Sequence, residues 1–141
     1  MLKWKRMRSD PQRPSWSICL LAALFTVGGI LHFVMPGKYE GIIPFWIPDH
    51  PFIVTLSGVC EVLGGIGLLF PLTRLAAGWG LIILLVAVFP ANVEMLRQAY
   101  VTAESSSLWR IALWIRLPLQ GVLIWWIGCA TRLRLWGQPL K

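Results

Sequence analysis

At 141 residues the chain has room for one domain. An apolar content of 57%, nine tryptophans and only 13% charged residues exclude a water-soluble globule of this size. The formal charge of +7 would raise the question of nucleic acid in a soluble protein, but here the basic residues flank apolar spans, as the positive-inside rule requires, so nucleic acid is not an expected partner.

Residues 1–15 carry Lys3, Lys5, Arg6, Arg8 and Arg13 ahead of a long apolar run. A basic start before hydrophobic residues can be a secretory signal, but the run from Ile18 to Met35 is longer than a signal core and no A-x-A-like site follows it. It reads as an uncleaved first transmembrane helix over 16–35, with His32 close to its far end. Residues 36–51 hold Pro36, Pro44, Pro48 and Pro51, which argue against regular helix, because each proline removes a donor and restricts its predecessor. Tyr39, Pro44 and Trp46 in this stretch suggest an aromatic, proline-broken loop lying in the membrane interface and capping the bundle.

The second span, 52–70, carries one carboxylate, Glu61, near its middle. A charged side chain deep in a bilayer helix costs roughly 2.5 kcal/mol or more, so it faces protein and has a partner. Ser57, Glu61 and Gly65 fall on one helical stripe, and Gly64, Gly65 and Gly67 let a neighbouring helix approach closely. After the turn Pro71-Leu72-Thr73-Arg74 a third span covers 75–98, with a kink or an end to its regular part expected at Pro90 and Asn92 just beyond. Residues 99–108 are polar enough for a loop. The fourth span is short of the ~20 residues a crossing needs unless it reaches back to Ile111, which places Arg116 inside it and Arg116 and Gln120 on one face. Residues 131–141 then form a second basic tail.

The expected architecture is therefore all-α: a four-helix transmembrane bundle (helices 16–35, 52–70, 75–98 and 111–130) in one membrane domain, 16–130. Nine Lys and Arg in the two tails and the 71–74 turn, against Lys38, Arg97, Arg110 and Arg116 opposite, place both termini in the cytoplasm. The expected location is a bacterial inner membrane. Cys19, Cys60 and Cys129 form no CxxC pair and no zinc spacing, which excludes a dithiol relay and predicts no metal.

That topology puts His32, Glu61, Asn92, Arg116 and Gln120 at similar depth in the outer half of the bilayer, one or more from each helix. Depth follows from the spans, but rotation does not. Each residue has a plainer role: His32 at the interface, Arg116 snorkelling to lipid phosphate, Asn92 serving backbone groups freed by Pro90. Glu61 is the hardest to reduce to such a role, and Arg116 is its expected partner. The cluster is then either a structural lock between helices or a ligand or proton site.

Four segments carry a family resemblance: HF..P..Y...IP..IP over 32–48, SGV.E...G.GLL over 57–69 with the arginine at 74, FPAN at 89–92 and RLPLQ at 116–120. In these the chain resembles the DoxX-like family of small membrane proteins. The resemblance implies a four-helix bundle and an association with membrane redox systems, since founding members are similar to subunits of a quinone-reducing thiosulfate oxidoreductase. It marks His32, Pro36, Tyr39, Pro44, Glu61, Arg74, Pro90, Asn92, Arg116, Pro118 and Gln120 as motif positions.

Two functions follow as expectations. One is an accessory or redox-associated subunit whose polar site takes a quinone or similar lipid, with electrons from a membrane partner, because no pattern fixes haem, flavin or iron–sulfur. The other is a non-catalytic scaffold or assembly factor whose buried polar residues only lock helix packing. A transporter ranks third, since four short spans without a repeat would need a homo-oligomer.

Overall fold

Ser15 opens the first helix, its Oγ accepting the Ile18 N–H at 3.4 Å, so that an otherwise orphan donor is satisfied before the apolar run begins. The computed structural model describes residues 14–101 and 106–131; the lysines and arginines counted in the two basic tails and the centre of the expected 99–108 loop lie outside the described residues. Among the described residues five helices form: α1 (Trp16–Val34), α2 (Pro36–Glu40), α3 (His50–Leu69), α4 (Arg74–Val101) and α5 (Ser107–Thr131). Among the described residues all regular structure is helical, and α1, α3, α4 and α5 are each long and apolar enough to cross a membrane.

Prolines are the main source of difference from the sequence reading. Pro36 starts α2 inside the stretch expected to lack helix, and Pro51 sits in the first turn of α3, which begins at His50 rather than 52. The first turn of a helix has no intrahelical use for its N–H groups, so proline is tolerated there. Asp49 caps α3 by accepting the Phe52 N–H at 3.3 Å, and does so from a left-handed backbone (φ 54°) that Asp reaches more readily than most residues. Pro90 does not end α4, which continues to Val101, and Pro118 lies inside α5, which starts at Ser107 rather than 111.

At the other end of α3, Arg74 donates from Nε to the Leu68 carbonyl at 2.9 Å and Thr73 Oγ1 donates to Gly67 at 2.8 Å. These bonds satisfy carbonyls left open by the end of the helix. Arg74 is thus a cap, which accounts for one motif position without any ligand.

Consecutive spans pack antiparallel. Rising positions on α1 meet falling positions on α3: a Cβ placed on Gly65 would lie 2.8 Å from the Ala22 carbonyl, one on Gly29 would lie 2.7 Å from the Gly58 carbonyl, and His32 reaches Val54. Gly29 and Gly58 leave no room for any side chain there, and this close approach makes α1–α3 the most extensive contact of the bundle. α4 packs on α3 and on α5, whereas α1 touches α5 only sparingly.

The apolar core fills the end of the bundle nearest the chain termini, where Ile18, Leu21 and Phe25 of α1 meet Leu68 of α3, Leu81 of α4 and Ile127 of α5. A smaller cluster of Leu96, Ala99 and Leu113 joins the far ends of α4 and α5. Outside these clusters large apolar side chains face outward all round the bundle, Leu20, Ile30, Leu63, Ile83 and Val122 among them. Such a surface suits hydrocarbon and would be an aggregation liability in water.

Candidate functional site

Between the two apolar clusters the bundle holds a cavity of about 430 Å³. Its floor and walls are mostly apolar, with Phe25 of α1, Leu85 and Val88 of α4, and Leu119 and Leu123 of α5. Ile42, Ile43 and Ile47 of the α2–α3 connection close it from above. His32, Glu61, Asn92, Arg116 and Gln120 all line this one space, together with Tyr39 and Ser57.

His32 is held from two sides. Its Nδ1 lies 3.1 Å from the Val54 carbonyl, an acceptor, so Nδ1 carries the proton and donates. Its ring stacks on Tyr39 with centroids 3.9 Å apart. The remaining nitrogen, Nε2, faces Glu61 Oε1 at 3.7 Å, close enough for charge to matter and too long for a hydrogen bond. The expected Glu61–Arg116 ion pair is not made: the Glu61 carboxylate faces His32 instead, because the glycine seam brings α1 against the Glu61 face of α3. A Cβ on Gly28 would lie 2.9 Å from Glu61 Oε2, so the missing side chain at Gly28 is what gives the carboxylate its place.

On the opposite wall, Asn92 donates from Nδ2 to Gln120 Oε1 at 2.9 Å, and Gln120 Nε2 donates to the Leu85 carbonyl. Asn92 therefore bonds across to α5 rather than to backbone freed by Pro90. Gln120 instead takes a carbonyl of α4, one residue before the Val86 carbonyl whose helical donor Pro90 lacks. Both amides are buried and fix α5 against α4.

Arg116 points its guanidinium along α4, where Nη1 lies 4.0 Å from Met95 Sδ. Among the described residues no carboxylate lies within ion-pairing distance of it. Tyr39 keeps its hydroxyl proton: burial first, and the nearby Glu61 charge second, hold the phenol above its ordinary pKa, while Arg116 pulls the other way. The cavity thus offers two ready donors, Arg116 and the Tyr39 hydroxyl, and one acid–base pair, His32–Glu61.

The other residues expected in the capping loop divide. Tyr39 lines the cavity, Pro44 is buried, and Trp46 is 64% exposed and does not line the cavity. Sequence reasoning placed a capping loop here but did not single out the residues that close the cavity. Ile42, Ile43 and Ile47 carry no polar signal, and Gln98 Nε2, which ties the lid to α4 through the Gly41 carbonyl at 2.9 Å, sits in the polar end of a helix expected to stop there. Among the described residues no cluster of metal-ligating side chains forms.

A bundle of four membrane-length helices around a partly polar cavity defines the class of this chain. The chain belongs to the family described as "Domain of unknown function (DUF8561)", whose match covers residues 21–131 and so includes the whole cavity. No curated protein and no solved structure matches it.

Proposed function

We propose that this is a multi-pass membrane protein of DoxX-like type, acting as an accessory or redox-associated subunit that binds a quinone or other small lipid-like ligand in the cavity. The observation that carries this reading is the convergence of polar groups from all four spans on a single apolar-walled space. Ligand sites combine about 300–1,000 Å³ of mostly apolar wall with a few placed polar groups, and the cavity has that make-up. With both termini in the cytoplasm, as the Lys and Arg distribution favours, the site lies in the outer half of a bacterial inner membrane.

The donors suit a quinone head group, whose carbonyls accept hydrogen bonds. Arg116 and Tyr39 would hold it, while one hydrogen each of Asn92 and Gln120 is already committed within the protein. Neutral His32 presents a lone pair at Nε2 and so acts through Glu61 rather than as a donor. A bound quinone would supply the electron chemistry; the chain supplies position and a group, Glu61, that can hold a proton beside it. Titration with decylubiquinone, followed by tryptophan quenching, tests the reading. Saturable quenching that Val88→Phe removes is expected, and quenching that rises linearly in both proteins would reject it.

One observation favours the scaffold reading instead. The Asn92–Gln120–Leu85 bonds join α4 to α5 with no ligand involved, and a lock requires nothing more. That reading makes the cavity incidental, and it predicts no saturable binding of any lipid-soluble probe.

A further inference from the structure

The cavity has a charge and a direction that the quinone reading does not use. With Nδ1–H spent on the Val54 carbonyl, neutral His32 turns a lone pair toward Glu61 Oε1, and two acceptors facing each other across 3.7 Å repel. One proton on either partner relieves this, and whether it rests on the carboxylate or the imidazole the pair is then neutral overall. Arg116 is left as the net charge of the lining, with no carboxylate within ion-pairing distance among the described residues. A cation beside an apolar space attracts an anion, and guanidinium suits carboxylate or phosphate oxygens above other acceptors.

The direction comes from helix packing. α1 and α5 both line the cavity yet touch each other sparingly, and their shared packing lies at the Phe25–Ile127 end. At cavity level a Cβ on Gly28 would meet only Glu61 within 4 Å and nothing from α5. Leu24 and Leu119, lining residues on either side of this gap, are each 49% exposed. A space of about 430 Å³ holds a head group and a short length of chain, so the rest of a lipid must leave through the wall.

We propose that the cavity binds a lipid anion, with its carboxylate or phosphate head on Arg116 and Tyr39 and its chain passing into the bilayer between α1 and α5 beside Gly28. This rests on the ligand-site reading above and narrows its ligand from neutral to anionic.

The test is native mass spectrometry of the full chain in neutral detergent, with lauric acid, lauryl alcohol and decylubiquinone offered separately. Laurate is expected to bind about tenfold more tightly than the alcohol, and Arg116→Gln to erase that preference. Gly28→Leu and Val88→Phe, which fill the cavity from opposite walls, are expected to lose laurate while keeping helical content, with Val88→Phe also keeping its melting temperature. Equal binding of laurate and alcohol, or stronger binding of decylubiquinone, overturns the anionic ligand and leaves the cavity reading standing. Laurate lost in Arg116→Gln but kept in both filled variants puts the anion on the outer surface and overturns the proposal. No binding of any probe overturns both readings together.

Discussion

His32 Nε2 stands 3.7 Å from Glu61 Oε1, across the seam where α1 and α3 approach through glycine. Three constraints meet in this contact. The Val54 carbonyl fixes the imidazole tautomer, the Tyr39 ring fixes its plane, and Gly28 and Gly58 leave the space in which both side chains fit. The carboxylate of α3 thus finds its partner on the neighbouring helix.

Because His32 has more attachments than Glu61, the two should respond differently to substitution. His32→Ala loses the Val54 hydrogen bond and the Tyr39 stack, and should cost about 1–3 kcal/mol. Glu61→Gln keeps the shape and removes only the charge, so its melting temperature should stay close to that of the parent. Thermal melts in detergent check this, and a larger loss in Glu61→Gln than in His32→Ala would show that the carboxylate carries the fold.

The glycine seam predicts a sharp contrast between glycines. A Cβ at Gly29 would lie 2.7 Å from the Gly58 carbonyl, a backbone atom that cannot swing aside. Gly29→Ala should therefore destabilise by about 1–3 kcal/mol, as overpacking does. Gly80 and Gly121 have nothing within 4 Å, and alanine there should be neutral or stabilising by up to about 1 kcal/mol. Equal melting shifts for all three would mean that α1 and α3 do not meet as described.

Gln120 is the hub of the other wall, since it accepts from Asn92 and donates to Leu85. Gln120→Leu should cost more than Asn92→Leu, and the double variant should cost less than the two added together. Interhelical hydrogen bonds in membrane proteins are worth about 0.6–2 kcal/mol, which sets the size of the coupling. Strict additivity in a double-mutant cycle would count against a direct bond.

Arg74 gives a prediction remote from the cavity. Its guanidinium closes the last carbonyls of α3, so Arg74→Ala should lower stability by about 0.3–1 kcal/mol and leave ligand binding unchanged. A change in binding without a change in stability would assign it another role.

The four apolar helices and the shared level of the polar residues along the bundle were legible in the sequence for a physical reason. Hydrocarbon obliges each crossing to be one long apolar helix, so position along the chain converts directly into depth. Rotation and partner choice were not legible. Which of His32 and Arg116 meets Glu61 depends on which face of α1 the glycines expose, and hydropathy does not encode that. Pro36 and Pro51 misled for a local reason, because the same residue that breaks a helix interior can begin a helix. The capping loop was legible, but not which of its residues would close the cavity, because ordinary isoleucines take that role only from where the loop lies.

The central claim is that the cavity lined by His32, Glu61 and Arg116 holds a small lipid-like molecule. The most direct measurement is mass spectrometry of small molecules that co-purify with the protein in mild detergent, from the parent and from folded Val88→Phe, which fills the cavity, side by side. The account predicts a stoichiometric lipid-soluble compound in the parent that is lost or strongly reduced in Val88→Phe. A parent that purifies empty, or a compound kept in full by folded Val88→Phe, would contradict it and leave the polar cluster as a lock between helices.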